Sequence, residues 1–254
     1  MPYSIMLDAG HGGMEPGAIY NGRQEKDDTL RLVMAIGEIL QNNGIDVLYT
    51  RTTDVYETPF EKAMEANRAG VDFFVSIHRN SYPVDNQVSG VESLVYNLSG
   101  VKYEMAQEIN EQLEAIGFVN LGVNARPNLI VLKRTQMPAV LVEVGFINSD
   151  TDNLLFDENF DAIAQAIASG ILDTLEEFDV IDENEYHVQV GLFRNWRNAQ
   201  NLLDGLLQQG FPAELDDAGP YIQVRVGEYD NLEDAAVMER RLRRAGYDTL
   251  IVRG

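Results

Sequence analysis

Two of the three histidines in this cysteine-free chain follow apolar runs that read as buried strands. His11 follows Ile5-Met6-Leu7-Asp8-Ala9-Gly10, and His78 follows Phe73-Phe74-Val75-Ser76-Ile77. A side chain at the carboxyl end of a parallel strand stands at the mouth of an α/β sheet, where such folds bind their ligands. Two imidazoles facing one point need only a carboxylate to make a three-ligand zinc site with an open position for water. Glu25 is the candidate, in the polar run Asn21-Gly22-Arg23-Gln24-Glu25-Lys26-Asp27 just before a helix. Each residue also has an ordinary reading. A strand-end histidine can simply pack or be solvated, and a glutamate at a helix start answers the helix dipole. The scarcity of histidine, the shared context and the glycines around His11 (Gly10, Gly12 and Gly13) favour the metal reading, because glycine lets backbone approach a ligand closely.

Zinc hydrolysis also needs an acid/base group beside the open position, to take a proton from the attacking water and return it to the leaving amine. Glu143 is the candidate, a carboxylate inside the otherwise apolar run Ala139-Val140-Leu141-Val142-Glu143-Val144-Gly145-Phe146. Burying an unpaired carboxylate is costly, so such a residue has either a strong partner or a task. A salt bridge to an arginine such as Arg134 is the alternative.

The elements that must position these residues alternate. Strands are expected at Ser4–Leu7, Asp46–Thr50, Asp72–Ile77, Val91–Tyr96, Leu129–Leu132 and Ala139–Val144. Helices are expected around Leu30–Leu40 (stopped by Gly44), Phe60–Ala69, Tyr103–Ile116 and along the apolar stripe from Phe160 to Leu175. Such alternation implies an α/β domain, a mainly parallel sheet with helices on both faces. Asp179 to Glu185, with four acids and no periodicity, reads as a linker. Lysine is absent after it, every later cation being arginine. The tail then repeats itself at constant offset. Val190-Gly191-Leu192-Phe193 matches Val226-Gly227-Glu228-Tyr229, and Gly210-Phe211 matches Gly246-Tyr247. Two strand–helix–strand copies make a small ferredoxin-like α+β domain, whose sheet has one free face suited to binding. The expected organisation is therefore 1–178, a linker at 179–185, and 186–254.

Taken together, Leu7-Asp8-Ala9-Gly10-His11-Gly12-Gly13, Asn21-Gly22 with Glu25-Lys26-Asp27, Thr50-Arg51, Ala66-Asn67, Ser76-Ile77-His78 and Val142-Glu143-Val144-Gly145-Phe146 resemble the zinc-dependent N-acetylmuramoyl-L-alanine amidases, the cell-wall amidases of bacterial autolysins and phage endolysins. The resemblance covers about residues 3 to 178. It implies that His11, Glu25 and His78 bind Zn2+, that Glu143 is the catalytic acid/base, and that the substrate is peptidoglycan. The bond cut would join the lactyl group of N-acetylmuramic acid to L-alanine of the stem peptide. Two positions depart from the family pattern. Arg79 stands where alanine is usual, and is expected to point to solvent or to meet a stem-peptide carboxylate. Lys62 is the only cation available where the family often has arginine, keeping the charge without the guanidinium fork.

The tail resembles SPOR-type repeats, which implies binding to glycan strands of the wall. His187 reads as a surface or packing residue of that domain. Tyr186, Phe193, Tyr221 and Tyr229 could stack on sugars or form its core. A net charge of −22 argues against phosphate-backbone binding as the main activity, so no nucleic-acid partner is expected. The apolar runs are too short to span a membrane. Met1-Pro2-Tyr3-Ser4 lacks a basic n-region, so no signal peptide is expected, and the protein would reach the wall through lysis or a holin. Two other functions stay open: a non-catalytic wall-binding protein with a decayed metal site, and a zinc peptidase acting on the stem peptide.

Overall fold

The apolar runs of the first two-thirds pair into a six-stranded sheet in this computed structural model, which describes residues 3–182, 186–229 and 232–253. The chain divides into two units, Met1–Leu175 and Glu176–Gly254. In order, the first part holds β1 (Ser4–Ala9), a short hairpin of β2 (Ile19–Tyr20) and β3 (Arg23–Gln24), α1 (Glu25–Asn42), β4 (Asp46–Tyr49), α2 (Pro59–Ala69), β5 (Phe73–Asn80), β6 (Val91–Val95), α3 (Val101–Ile116), β7 (Asn120–Ala125), α4 (Ile130–Arg134), β8 (Ala139–Phe146), α5 (Asp150–Glu158) and α6 (Phe160–Asp182). The sheet order is β4-β1-β5-β8-β6-β7. All neighbours are parallel except β6 and β8, which are antiparallel.

Side chains alternate between the faces of a strand. On one face Ile5, Leu7, Val75, Ile77, Val140 and Val142 pack against apolar stripes of α1, α3 and α6. On the other, Met6, Phe74, Leu94 and Leu141 pack with Ala66 of α2 and Val131 and Leu132 of α4. Asp8, Ser76, His78 and Glu143 follow the second set at period two, so the chemistry lies on the α2/α4 face, at the carboxyl ends of the strands.

Some expectations are corrected. Leu129–Leu132 is not a strand: its last three residues open α4. Ile130 is exposed while Val131 and Leu132 are buried, a helical rather than a strand pattern. Residues 179–182, read as linker, continue α6, and 183–185 lie outside the described residues.

Lys62 is buried, not a loose substitute for arginine. Its Nζ donates to Asp8 Oδ1 at 2.7 Å and to Ala9 O at 2.9 Å. Asp8 also accepts from Thr50 Oγ1 and Ser76 Oγ at 2.7 and 2.6 Å. Burial works to raise the Asp8 pKa, but Lys62, His78 and these hydrogen bonds hold it below its ordinary value. A compact ammonium satisfies this place because one carboxylate oxygen and one carbonyl need it. Lys62→Met leaves the buried Asp8 charge without its counter-ion and should cost about 3 kcal/mol, the low end for breaking a buried pair because two hydroxyls remain. Urea unfolding checks this, and a loss under about 1 kcal/mol would show that the pair is not what neutralises Asp8.

The second unit contains β9 (Tyr186–Phe193), α7 (Trp196–Gln208), β10 (Ala213–Ala218), β11 (Tyr221–Tyr229), α8 (Leu232–Arg244) and β12 (Leu250–Arg253). They form an antiparallel sheet in the order β10-β11-β9-β12, the two strand–helix–strand copies expected from the repeat. Val188, Val224 and Val226 pack with Ala199 and Leu206 of α7 and Met238 and Leu242 of α8. His187 is a packing residue. It is buried and its ring lies 2.8 Å from the Gln223 amide, the residue at its own position in the other copy, 36 residues on. Phe193 and Tyr229 pack against the core of this unit, and Arg194 lies over the Tyr221 ring.

Candidate active site

β1 ends at Ala9, and the chain turns sharply to aim His11. His11 itself has φ of 62°, the left-handed region that non-glycine residues seldom occupy. The following loop closes on itself through paired backbone hydrogen bonds between Gly12 and Glu15. That closure brings the Glu15 carboxylate onto His11 Nδ1. The sequence did not single out Glu15; its only signal is a position four residues after His11 across a Gly-Gly turn. With Nδ1 engaged, His11 turns Nε2 toward Glu25 Oε1, 3.0 Å away.

Glu25 is the first residue of α1 and is buried. Arg51 ties that helix start to the end of β1: its guanidinium donates to the carbonyls of Ala9, Gly10 and Lys26 at 3.1, 3.0 and 2.8 Å. Glu25 Oε2 accepts from Ala18 N, and Oε1 from Arg79 N, each at 3.0 Å. His78 Nδ1 lies 2.9 Å from the same Oε1. The three donor atoms fall within 4.8 Å of one another. Gly10 makes the meeting possible, since a Cβ there would stand 2.5 to 2.7 Å from the His78 ring atoms.

The electrostatics couple one buried carboxylate to two imidazoles. Burial works against charge on His11, but hydrogen bonds to Glu25 and Glu15 outweigh it and push its pKa up to about 8. Burial likewise opposes ionisation of Glu25, and the two imidazoles hold its pKa well below the carboxylate range. Among the described residues, no lysine or arginine side chain pairs with Glu25.

Glu143 stands directly opposite His78 on β5 and opposite Glu92 on β6, so the three share a face. Its Oε2 is covered and has no hydrogen-bond partner. Burial pushes its carboxyl up to about 7; His78 opposes the shift, Glu25 and Glu92 add to it. Glu92 is itself held by the Asn80 and Asn124 amides at 2.7 and 3.0 Å. The pairing slips just beyond His78 and Glu143, where β8 carries an extra residue before Asn80 meets Phe146. Gly145, with φ of 75°, absorbs that bulge, and Asp152 Oδ2 seals it by accepting from Phe146 N and Gly90 N. The Arg134 alternative fails, because Arg134 is exposed and lines a different groove.

Arg79 corrects a further expectation. It points inward, not to solvent, and is almost wholly buried. Its guanidinium donates to Asp28 and Asn153 at 2.7 and 2.8 Å and lies over the Phe156 ring. It braces α1 and α5 behind the site, while its backbone N–H orients Glu25.

Residues 5–173 match the family described as N-acetylmuramoyl-L-alanine amidase. The chain belongs to this family. Residues 182–253 of the amidase match the SPOR domain. Over 213 residues it is 35% identical to a sporulation-specific N-acetylmuramoyl-L-alanine amidase of Bacillus subtilis, covering 82% of each chain. It is also 35% identical over 181 residues to the endolysin of Bacillus phage SPP1, covering 67% of this chain and 65% of the endolysin. The crystal structure of an N-acetylmuramoyl-L-alanine amidase from Clostridium difficile matches with a TM-score of 0.65 and 30% identity, covering 69% of this amidase and 97% of that chain. The mostly parallel sheet with flanking helices is thus the fold of its amidase neighbours. No described helix is long and apolar enough to cross a membrane.

Proposed function

We propose that this chain hydrolyses the amide between N-acetylmuramic acid and L-alanine in peptidoglycan, using Zn2+ held by His11, Glu25 and His78. The observation that carries this reading is an unpartnered, covered carboxylate oxygen on Glu143, paired in register with His78 of a convergent His/Glu/His donor set. The donor set fits zinc in type and number: two imidazole nitrogens and one carboxylate leave a position open. Bound there, zinc supplies Lewis acidity to the scissile carbonyl and lowers the pKa of the attacking water. Glu143 takes the proton of that water as its oxygen adds to the carbonyl carbon. It then gives the proton to the alanine nitrogen as the carbon–nitrogen bond breaks. A carboxyl pushed toward neutrality is matched to both transfers. Glu15 holds His11 in the tautomer that presents Nε2, the usual office of a carboxylate behind a ligating histidine.

Mass spectrometry of wall fragments digested by the zinc-loaded protein tests the reading. Glycan carrying free lactyl carboxylates, with peptides beginning at L-alanine, is the expected product pair. Cleavage inside the stem would make the chain a peptidase instead, and no cleavage would favour a wall-binding protein. The retention of all four residues supports an enzyme over a decayed site.

The 186–254 part would bind glycan strands through its sheet and tether the catalytic part. Each part has its own core. Residues 1–182 should therefore match the full chain on small soluble muropeptides and fall roughly tenfold or more behind on insoluble wall, because tethering raises local substrate concentration only there. Equal rates on intact wall, with no sedimentation of 186–254 with wall, would remove the tether from the proposal.

A further inference from the structure

The segment that leads into α2 is pinned to the His11 turn at one end and to its own helix at the other. At the first end Asp54 accepts from Gly13 N at 2.7 Å and from Lys26 Nζ at 2.6 Å, and Lys26 also donates to Gly13 O at 2.9 Å. The turn comes this close because it carries no side chains there. A Cβ on Gly12 would stand 2.0 Å from Val55 O, and one on Gly13 would stand 3.0 Å from Tyr56 N. At the other end Thr58 caps α2. Its hydroxyl accepts from Glu61 N at 3.2 Å, its N–H donates to the Glu61 carboxylate at 2.8 Å, and Pro59 opens the helix. Tyr56 and Glu57 are held between these two fixed points.

Both residues line the cleft beside His11 and His78, about 430 Å³, a volume suited to a small molecule. Apart from the two imidazoles, Tyr56 is the one aromatic ring among the described residues of that lining, and it is 49% exposed. Glu57 is half-buried, and its Oε2 meets no donor of the chain. Leu129, Ile130 and Val131, which also line the cleft, are aliphatic and offer neither a π face nor a side-chain acceptor.

The connectivity of an N-acetylmuramoyl amide sets what must lie near the metal donors. Its scissile carbonyl carbon is three bonds from the pyranose ring, through one lactyl carbon and one ether oxygen. With the carbonyl at the His11, Glu25 and His78 centre, the ring cannot reach a distant surface and lies against residues bordering those donors. A pyranose presents a weakly positive face of C–H bonds and a rim of hydroxyl and acetamido groups. The negative face of an aromatic ring suits the first, and a carboxylate acceptor suits the second. Tyr56 and Glu57 offer the two together, on a segment already ordered before binding.

We propose that Tyr56 stacks on the N-acetylmuramoyl ring and that Glu57 accepts a hydrogen bond from its hydroxyl or acetamido N–H, a reading that rests on the proposed amidase activity. The cleft then selects substrates by the sugar on the acyl side of the bond cut.

The test compares an N-acetylmuramoyl-dipeptide with the same dipeptide acylated by lactic acid alone, both given to the zinc-loaded full-length protein. KM should be about tenfold lower for the compound with the sugar, the upper end of what one ring face contributes. Tyr56→Ala should close that gap by raising KM for the sugar compound alone, with kcat little changed, because stacking binds ground and transition states alike. Tyr56→Phe keeps the ring face and should keep the gap, and Glu57→Ala should narrow it. Tyr96→Ala, which removes a 43% exposed ring from a different groove, should leave both compounds unchanged. Circular dichroism checks that the variants stay folded. Calorimetric binding of both compounds to zinc-loaded E143Q repeats the comparison without hydrolysis, so failure to cleave either one would count against the amidase reading and not against the sugar site. Equal KM and equal binding of the two compounds in proteins with Tyr56 intact overturns the proposal. So does a gap that survives Tyr56→Ala. A Tyr56→Ala protein that loses affinity for both compounds alike overturns it too, and would give the ring to the peptide side or to the cleft wall.

Discussion

Replacing His78 with alanine should strip the protein of zinc and of hydrolysis together. The site draws one donor from the end of β1, one from the start of α1 and one from β5. Two remaining donors do not make the three-ligand set that catalytic zinc sites use. The fold should survive. Glu25 keeps its hydrogen bonds from Ala18 N and Arg79 N, and His78 is only partly buried. Atomic absorption of the purified variant, read beside its circular dichroism, checks the outcome. Stoichiometric zinc in a folded His78→Ala protein would remove His78 from the ligand set and the proposed metal centre with it.

Glu143→Gln separates chemistry from assembly. The amide keeps the shape of the side chain but cannot accept the proton of water. The rate should fall by roughly two to four orders of magnitude, the range of general acid/base contributions. Zinc should stay bound, since none of the three donors is touched. Stability should hold or rise slightly, because a covered carboxylate oxygen without a partner gives way to a neutral group. A structural carboxylate would show the reverse, losing stability while keeping activity. Activity within a few-fold of the unsubstituted protein would therefore end the acid/base assignment.

The residues of the candidate site were legible because their types are out of place. Histidines are scarce here, and Glu143 interrupts an apolar strand. The strands and helices of the sheet were legible where periodicity ran long, as in α1, α3, β5 and β8. Leu129–Leu132 misled because four apolar residues have no period to read, and a short run cannot tell a strand from a helix turn. β7 went unseen because two asparagines and Gly122, residues poor in strands, interrupt its six residues at the sheet edge, Asn120–Ala125. α5 opens on Asp150-Thr151-Asp152-Asn153, which reads as loop until Ser149 is seen accepting from Asp152 N as its cap. Arg79 could not be placed from sequence, since its partners Asp28, Asn153 and Phe156 converge only in three dimensions. Glu15 was hidden for a similar reason: its role depends on the turn that folds it back.

The register of β5 against β8 has a kinetic consequence. His78 and Glu143 lie far apart in the chain and meet only when these two strands align in parallel, and a slip of one residue would turn Glu143 to the opposite face. Parallel pairing over such a separation is among the slower events of folding, because loop closure precedes the contacts that reward it. The helices around it need no such wait. During refolding, helical signal should thus return well before catalytic competence, because a compact chain with its helices formed but this pair of strands unaligned lacks the juxtaposed His78 and Glu143.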